Sequence, residues 1–343
     1  MSRTAFARLT GAVSLLALCV ILLGTYVRLS DAGLGCPDWP GCYGHLVVPD
    51  SPQAVEQANQ AHPSRPLHAG KAWKEMVHRY LAGGLGLAIA VVAVVAWRDR
   101  ARGRGVVLPT VLVALVVFQA LLGMWTVTLM VNPTIVTAHL IGGMATLALL
   151  WWVTLREGRW WSDLASAPLA ALRPWALGAV VLVVLQILLG GWTSTHYAAM
   201  ACTEFPTCHS GEWWPAADFG EGFTLWQPLG VNYEFGVLDS PARTAIHLAH
   251  RTGALVVLLY VGTLAWAVVR RSTSTAQRRL GLLLGLVLAA QIALGIANVL
   301  GRLPLPVAVA HTGGAAILLL AVLTVLHVVT SAVRPAAPWG RRR

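Results

Sequence analysis

Eight runs of apolar residues, near 9–27, 77–97, 106–131, 134–155, 175–195, 244–269, 280–300 and 305–329, dominate this chain. Each reaches the roughly 20 residues that a helix rising about 1.5 Å per residue needs to cross about 30 Å of hydrocarbon. A bilayer core offers no water to backbone amides, so a spanning chain must be helical or form a closed barrel. The alternating ten-residue segments of a barrel are missing. The expected fold is therefore an all-α integral membrane protein with eight transmembrane helices. Composition agrees: only 11% of the 343 residues are charged, against roughly 25% in soluble domains. With 57% hydrophobic residues, the chain is also far too apolar to be disordered.

Sorting the charges gives the orientation. The N-terminus, the loops near 98–104, 156–173 and 270–279, and the tail from Arg334 hold 17 Lys and Arg against three acids, Asp99, Glu157 and Asp163. The opposite loops hold 8 basic and 11 acidic residues. Basic loops stay in the cytoplasm, so both termini are expected there. The two long loops, about 28–75 and 196–243, then face outward. The net charge of +11 is thus a topology signal with some attraction to anionic lipid, and it gives no support to a nucleic-acid surface.

The chain also repeats itself. Leu22-Leu23-Gly24 matches Leu188-Leu189-Gly190, and Cys36 and Cys42 match Cys202 and Cys208, all displaced by 166. His78-Arg79 matches His250-Arg251, Ala138-His139 matches Ala310-His311, and Gln119 and Gly123 match Gln291 and Gly295, all displaced by 172. Six extra residues in the second outer loop account for the change. The expectation is two four-helix bundles, residues 1–160 and 161–343, related by a pseudo-two-fold axis along the membrane normal. Arg3 and Arg8 before an apolar run resemble a signal peptide, but this run has its partner in the repeat and is read as the first helix.

Four histidines recur on alternate helices: His78 and His139 in the first half, His250 and His311 in the second, each pair 61 residues apart. All four helices run in the same direction, which sets each histidine within about two turns of the outer surface. Paired imidazoles facing each other inside one bundle form a bis-histidine clamp for haem iron. Gly142 and Gly143, with Gly313 and Gly314, leave room for a flat macrocycle one turn on. A lone intramembrane histidine is as readily a packing residue, but four at equal spacing favour two haems, one per half. Zinc or copper fits less well, since each pair lacks the further ligands such a site requires.

Glu75, three residues before His78, shares its helix face, whereas the second half carries His247 at that place. The carboxylate suits a proton donor or acceptor, or a stabiliser of developing positive charge; capping the helix N-terminus is the plainer role. The asymmetry suggests that one half does chemistry while the other carries electrons. Each outer loop holds a Cys-x5-Cys pair, Cys36/Cys42 and Cys202/Cys208, expected to form disulfides on an oxidising side. Their role as staple or as redox switch stays open. Arg79 and Arg251 are candidate partners of haem propionates, and Cys19 reads as a small packing residue. His45, His62, His68, His196 and His209 read as solvated loop residues, and His327 lies remote from the paired sites. Trp97, Trp151, Trp152, Trp160 and Trp161 read as an interfacial belt, while Trp39, Trp213, Trp214 and Trp226 are candidates to cover a haem edge.

The motifs Gly-Leu-Gly-Cys-Pro-Asp-Trp-Pro-Gly-Cys (33–42), Glu-Met-Val-His-Arg (75–79), Ala-His-Leu-Ile-Gly-Gly (138–143), His-Leu-Ala-His-Arg (247–251) and Ala-His-Thr-Gly-Gly (310–314), in this order, are similar to those of the haem A synthase family of bacterial and mitochondrial inner membranes. The resemblance implies that a methyl group of haem O is oxidised to the formyl group of haem A by successive hydroxylations. It also implies that His78 and His139 bracket the substrate haem, that His250 and His311 hold a permanent haem b, and that Glu75 is the catalytic carboxylate. The expected partners are haem O and membrane lipid, with a quinol or other electron donor and the farnesyltransferase that makes haem O as further candidates. A bis-haem b electron carrier without substrate turnover is the alternative.

Overall fold

The structure, a computed structural model, describes residues 1–158 and 164–331. Trp160, Trp161, Asp163 and the basic tail from Arg334 lie outside the described residues. In chain order the helices are α1 (Arg3–Leu29), α2 (Pro52–Ala61), α3 (Ala69–Arg98), α4 (Val107–Thr128), α5 (Pro133–Glu157), α6 (Ala167–Ala170), α7 (Arg173–Thr195), α8 (Phe219–Gly222), α9 (Ser240–Arg271), α10 (Thr275–Leu300) and α11 (Leu305–Ser331). Eight of them, α1, α3, α4, α5, α7, α9, α10 and α11, are long and apolar enough to cross a membrane. The chain is thus an all-helical, multi-pass membrane protein, as the apolar runs require.

Four of these helices, α1, α3, α9 and α10, start well before their apolar runs. α3 begins at Ala69 and α9 at Ser240, because their first turns carry Lys71, Lys74 and Arg243, which hydropathy assigns to loops. Local chemistry fixes helix starts such as those of α9 and α5. The Asp239 carboxylate accepts a hydrogen bond from Ala242 N at 2.9 Å, and the Asn132 side chain accepts one from Thr134 N at 3.1 Å, with Pro133 opening α5. Such caps satisfy amides that a helix leaves unpaired.

The repeat reappears in the backbone. Met130 and Val131 end the α4–α5 turn with φ of 49° and 51°, and Arg302 and Leu303, displaced by 172, do so before α11 at 58° and 60°. In the first half α1 packs on α3 and α5, and α4 packs on the same two helices; α7, α9, α10 and α11 repeat that pattern. Between the halves, α1 meets α11, and α5 meets both α7 and α11. α11 is the most enclosed span, 67% of its apolar window lying inside the protein. Leu147 and Leu150 of α5 and Leu319 and Val322 of α11 share one continuous core with α1 and α7.

Candidate functional site

The four repeated histidines stand in the third turns of α3 and α9 and the second turns of α5 and α11, at the end of the molecule that carries the cysteines. Each is half-buried. The rings of His250 and His311 lie 6.4 Å apart, centroid to centroid, with planes at 82°. A metal–imidazole bond of about 2.0–2.1 Å, plus a little over 1 Å from ring nitrogen to centroid, gives a span of about 6.3 Å across a shared metal. The pair therefore fits a bis-imidazole iron site. Two further observations support the fit, since His139 Nδ1 and His311 Nδ1 are both buried without a hydrogen-bond partner. His139 in turn lies within electrostatic reach of His78.

Every one of these rings packs against a glycine of a neighbouring span. A methyl group on Gly24 of α1 would stand 2.8 Å from His78 Nε2, and one on Gly190 of α7 would stand 3.2 Å from His250 Cε1. Gly123 of α4 and Gly295 of α10 face His139 and His311 at 3.6 and 3.1 Å. Of the glycines one turn beyond the histidines, Gly142 and Gly314 face glutamine side chains. A Cβ at Gly142 would overlap the Gln119 amide, and one at Gly314 would overlap that of Gln291. These glycines admit glutamines from the adjacent helix.

Glu75 is buried, 4% exposed, and turned toward the first cysteine loop. Its Oε2 accepts from Cys36 N at 2.9 Å, and its Oε1 is ion-paired with Arg79. His247 takes the same place in the second half: Nδ1 lies 3.1 Å from Cys202 N, and Nε2 lies 3.2 Å from Arg251 Nε. A carboxylate accepts both bonds at once, whereas a neutral imidazole has one lone pair in its plane to offer. The same cradle thus holds a charged acceptor in one half and a weaker one in the other.

Arg79 and Arg251 are engaged by the loops. Arg79 donates to the carbonyls of Asp38, Pro40 and Gly41, and Arg251 donates to those of Cys202, Glu204 and Thr207. Cys36 is disulfide-bonded to Cys42, and Cys202 to Cys208. Asp38 accepts from Tyr43 N and Gly44 N, and its counterpart Glu204 accepts from Ser210 N and Gly211 N. The Gly211 amide and the Thr207 hydroxyl lead in holding the Glu204 carboxyl below the usual range.

Two peripheral residues, His196 and Cys19, differ from expectation. His196 is not solvated: it is 2% exposed, 4.2 Å from the Trp192 ring, and burial pushes its imidazole below the ordinary value. Cys19 is exposed on α1 rather than packed inside. Trp213, Trp214 and Trp226 are largely exposed. His327 is buried beside the Trp152 ring. Gln186 on α7, which has no glutamine counterpart in α1 and so left no trace in the repeat, lies 3.0 Å from His250 Nδ1.

The COX15-CtaA family, described as cytochrome oxidase assembly protein, matches residues 7–323. The chain belongs to this family. A protein of Shewanella oneidensis named heme A synthase is 44% identical over 308 residues, covering 90% of this chain and 92% of its own length. Heme A synthases of Symbiobacterium thermophilum and Allorhizobium ampelinum are 32% identical over 315 residues and 28% identical over 327 residues. They cover 88% and 90% of this chain, and 87% and 86% of their own lengths. COX15-CtaA membership places the matched span across all eight membrane helices, so the likeness is carried by the whole fold.

Proposed function

We propose that this chain is a haem A synthase, an oxidoreductase that converts a methyl group of haem O to the formyl group of haem A. The observation that carries the reading is the difference in what fills the same cradle beside otherwise matched histidine pairs: the Glu75 carboxylate in one half, the His247 imidazole in the other. Two permanent carriers would have no need of that difference, whereas one reacting site and one electron-transfer site would.

In this reading residues 1–160 form the substrate half, where His78 and His139 bracket haem O. Residues 161–343 form the haem b half, where the 6.4 Å His250–His311 pair holds the iron. Haem b held there supplies electron transfer to the neighbouring site. Glu75, one turn before His78, would take up or return a proton at its carboxylate as the substrate reacts. Arg79 and the Cys36 amide keep that carboxylate aimed between turnovers. The cysteine end faces the outside of a bacterial inner membrane and both termini face the cytoplasm, in accord with the basic loops. The farnesyl tail of haem O makes lipid the route of entry, the farnesyltransferase a natural neighbour, and a quinol a suitable donor.

Extraction of the pigments from purified protein tests the reading. Haem b together with haem O or haem A is the expected result. Haem b alone in both halves assigns the chain to the carrier class instead.

A further inference from the structure

The depth of the turn between α4 and α5 follows from the chain around it. No Asp, Glu, Lys or Arg stands between Arg104 and Arg156. α4 starts at Val107 and runs for 22 residues, about 33 Å at about 1.5 Å per residue, close to the roughly 30 Å of a hydrocarbon core. With Arg104 just before its start, the uncharged turn at 129–132 sits at the edge of the hydrocarbon at the cysteine end. A segment of the second half's long loop is seated on that turn. The Thr134 hydroxyl donates to the Leu225 carbonyl at 2.7 Å, and Tyr233 N donates to the Met130 carbonyl at 3.1 Å. The segment has a defined shape: Tyr233 Oη donates to the Pro228 carbonyl at 2.7 Å, Gln227 Nε2 donates to the Thr224 carbonyl at 2.7 Å, and Gly230 takes a φ of 82°. Tyr233 is buried, but Leu225, Trp226 and Leu229 are 68%, 91% and 74% exposed. No charged residue stands between Glu221 and Glu234.

Apolar side chains held this far out by an ordered turn need a cover, and their depth says which. The boundary between acyl chains and headgroups is where tryptophan settles, its ring in the apolar layer and its N–H toward the polar one. The repeat supplies a comparison within the molecule. The corresponding turn between α10 and α11, residues 301–304, carries the exposed Arg302, and among the described residues no hydrogen bond from the first half's long loop reaches it. The loop is thus seated only where the turn beneath it is free of charge. We propose that residues 224–231 form an interfacial membrane anchor, with Leu225, Trp226 and Leu229 entering the acyl–headgroup boundary of the leaflet at the cysteine end. Glu221 and Glu234 at its ends favour zwitterionic headgroups over anionic ones. Trp226 then meets phospholipid and not a haem edge. Lipid holds the second half's loop down on the first half, just before His139.

Purified protein in phosphatidylcholine nanodiscs, made with or without bromine on the acyl chains, tests this. The emission of Trp226 is read as the difference between the wild type and Trp226→Phe. Brominated lipid should quench that difference several-fold more strongly than iodide added to the buffer. In Leu225→Asp/Leu229→Asp, where two carboxylates hold to water, quenching of Trp226 by brominated lipid should fall several-fold, read against the same variant carrying Trp226→Phe. Quenching by iodide without quenching by brominated lipid overturns the anchor and leaves the segment facing water or a partner protein absent from the discs. Shielding of Trp226 from both quenchers overturns it as well and points to a second copy of the chain. Each outcome is independent of the haem A synthase reading, which the extracted pigments test.

Discussion

At the scale of single residues, the proposed chemistry turns on what fills the cradle between the cysteine loop and the arginine one turn on. Glu75 brings a charge that Arg79 and the Cys36 amide both satisfy; His247 brings none. Replacing Glu75 by Gln keeps the shape and one acceptor but removes the base, which is worth about 10²–10⁴-fold where a carboxylate moves the proton. Haem A output in Glu75→Gln cells should fall by at least that lower bound, while haem b, read from the reduced spectrum, stays at wild-type stoichiometry. Unaltered haem A output would take Glu75 out of the mechanism. His196 makes a second residue-scale case. Burial lowers its pKa in the folded protein, so the folded state binds fewer protons than the unfolded one as pH drops through about 6.5, the ordinary value. Stability present above that pH is lost below it. The melting temperature should therefore fall between pH 7.5 and 5.5, and His196→Gln should flatten that fall; an equal slope in the variant would show that another group governs it.

At the scale of elements, the loops and helices are coupled through arginine. Arg79 gathers three carbonyls of the 38–41 turn while pairing with Glu75, a task suited to a planar fork of donors and poorly served by the point charge of lysine. Arg79→Lys should leave haem b bound, speed proteolytic cleavage of the first outer loop several-fold, and lower haem A output. A loop as resistant as in the wild type would mean that the disulfide alone sets its shape. What the sequence made legible follows the same division. The eight spans were visible because a bilayer forces about 20 apolar residues per crossing, and the paired histidines because their spacing recurs. The early starts of α3 and α9 were hidden by Lys71, Lys74 and Arg243, whose charges read as loop although the helix simply continues out of the hydrocarbon. The burial of His196 was hidden as well, since a polar loop sequence carries no sign of Trp192 folding over it. The glutamine–glycine notches depend on the register between adjacent helices, which spacing along one chain does not encode; only the shared offset of Gln119 and Gln291 hinted at them, and Gln186 gave no such sign.

At the scale of the whole molecule, the two halves meet through polar contacts at both ends. Arg28 of α1 donates to Tyr197 Oη at 2.8 Å and to the Ser194 carbonyl at 3.1 Å. The Thr134 hydroxyl donates to the Leu225 carbonyl at 2.7 Å, and Tyr233 N donates to the Met130 carbonyl at 3.1 Å. These contacts bring the second half's long loop onto the α4–α5 turn just before His139. At the other end Trp151 Nε1 donates to Thr324 Oγ1 at 3.0 Å. Lipid tails are as apolar as the helix faces, so in a bilayer such hydrogen bonds and close packing hold helices together. The contribution of Arg28 exceeds that of Trp151, because hydrogen bonds to a charged donor are worth about 1.5–3 kcal/mol and neutral ones about 0.5–1.5 kcal/mol. Arg28→Met should therefore lower the unfolding midpoint of the haem-loaded protein by several degrees, with Trp151→Phe lowering it less. On the proposed reading, Arg28→Met should also slow reduction of the substrate haem while the haem b spectrum stays unchanged, since the contact joins α1 to the end of α7 and touches none of the four paired histidines. A variant with the wild-type midpoint and reduction rate would mean that the apolar faces of α1, α5, α7 and α11 align the halves unaided.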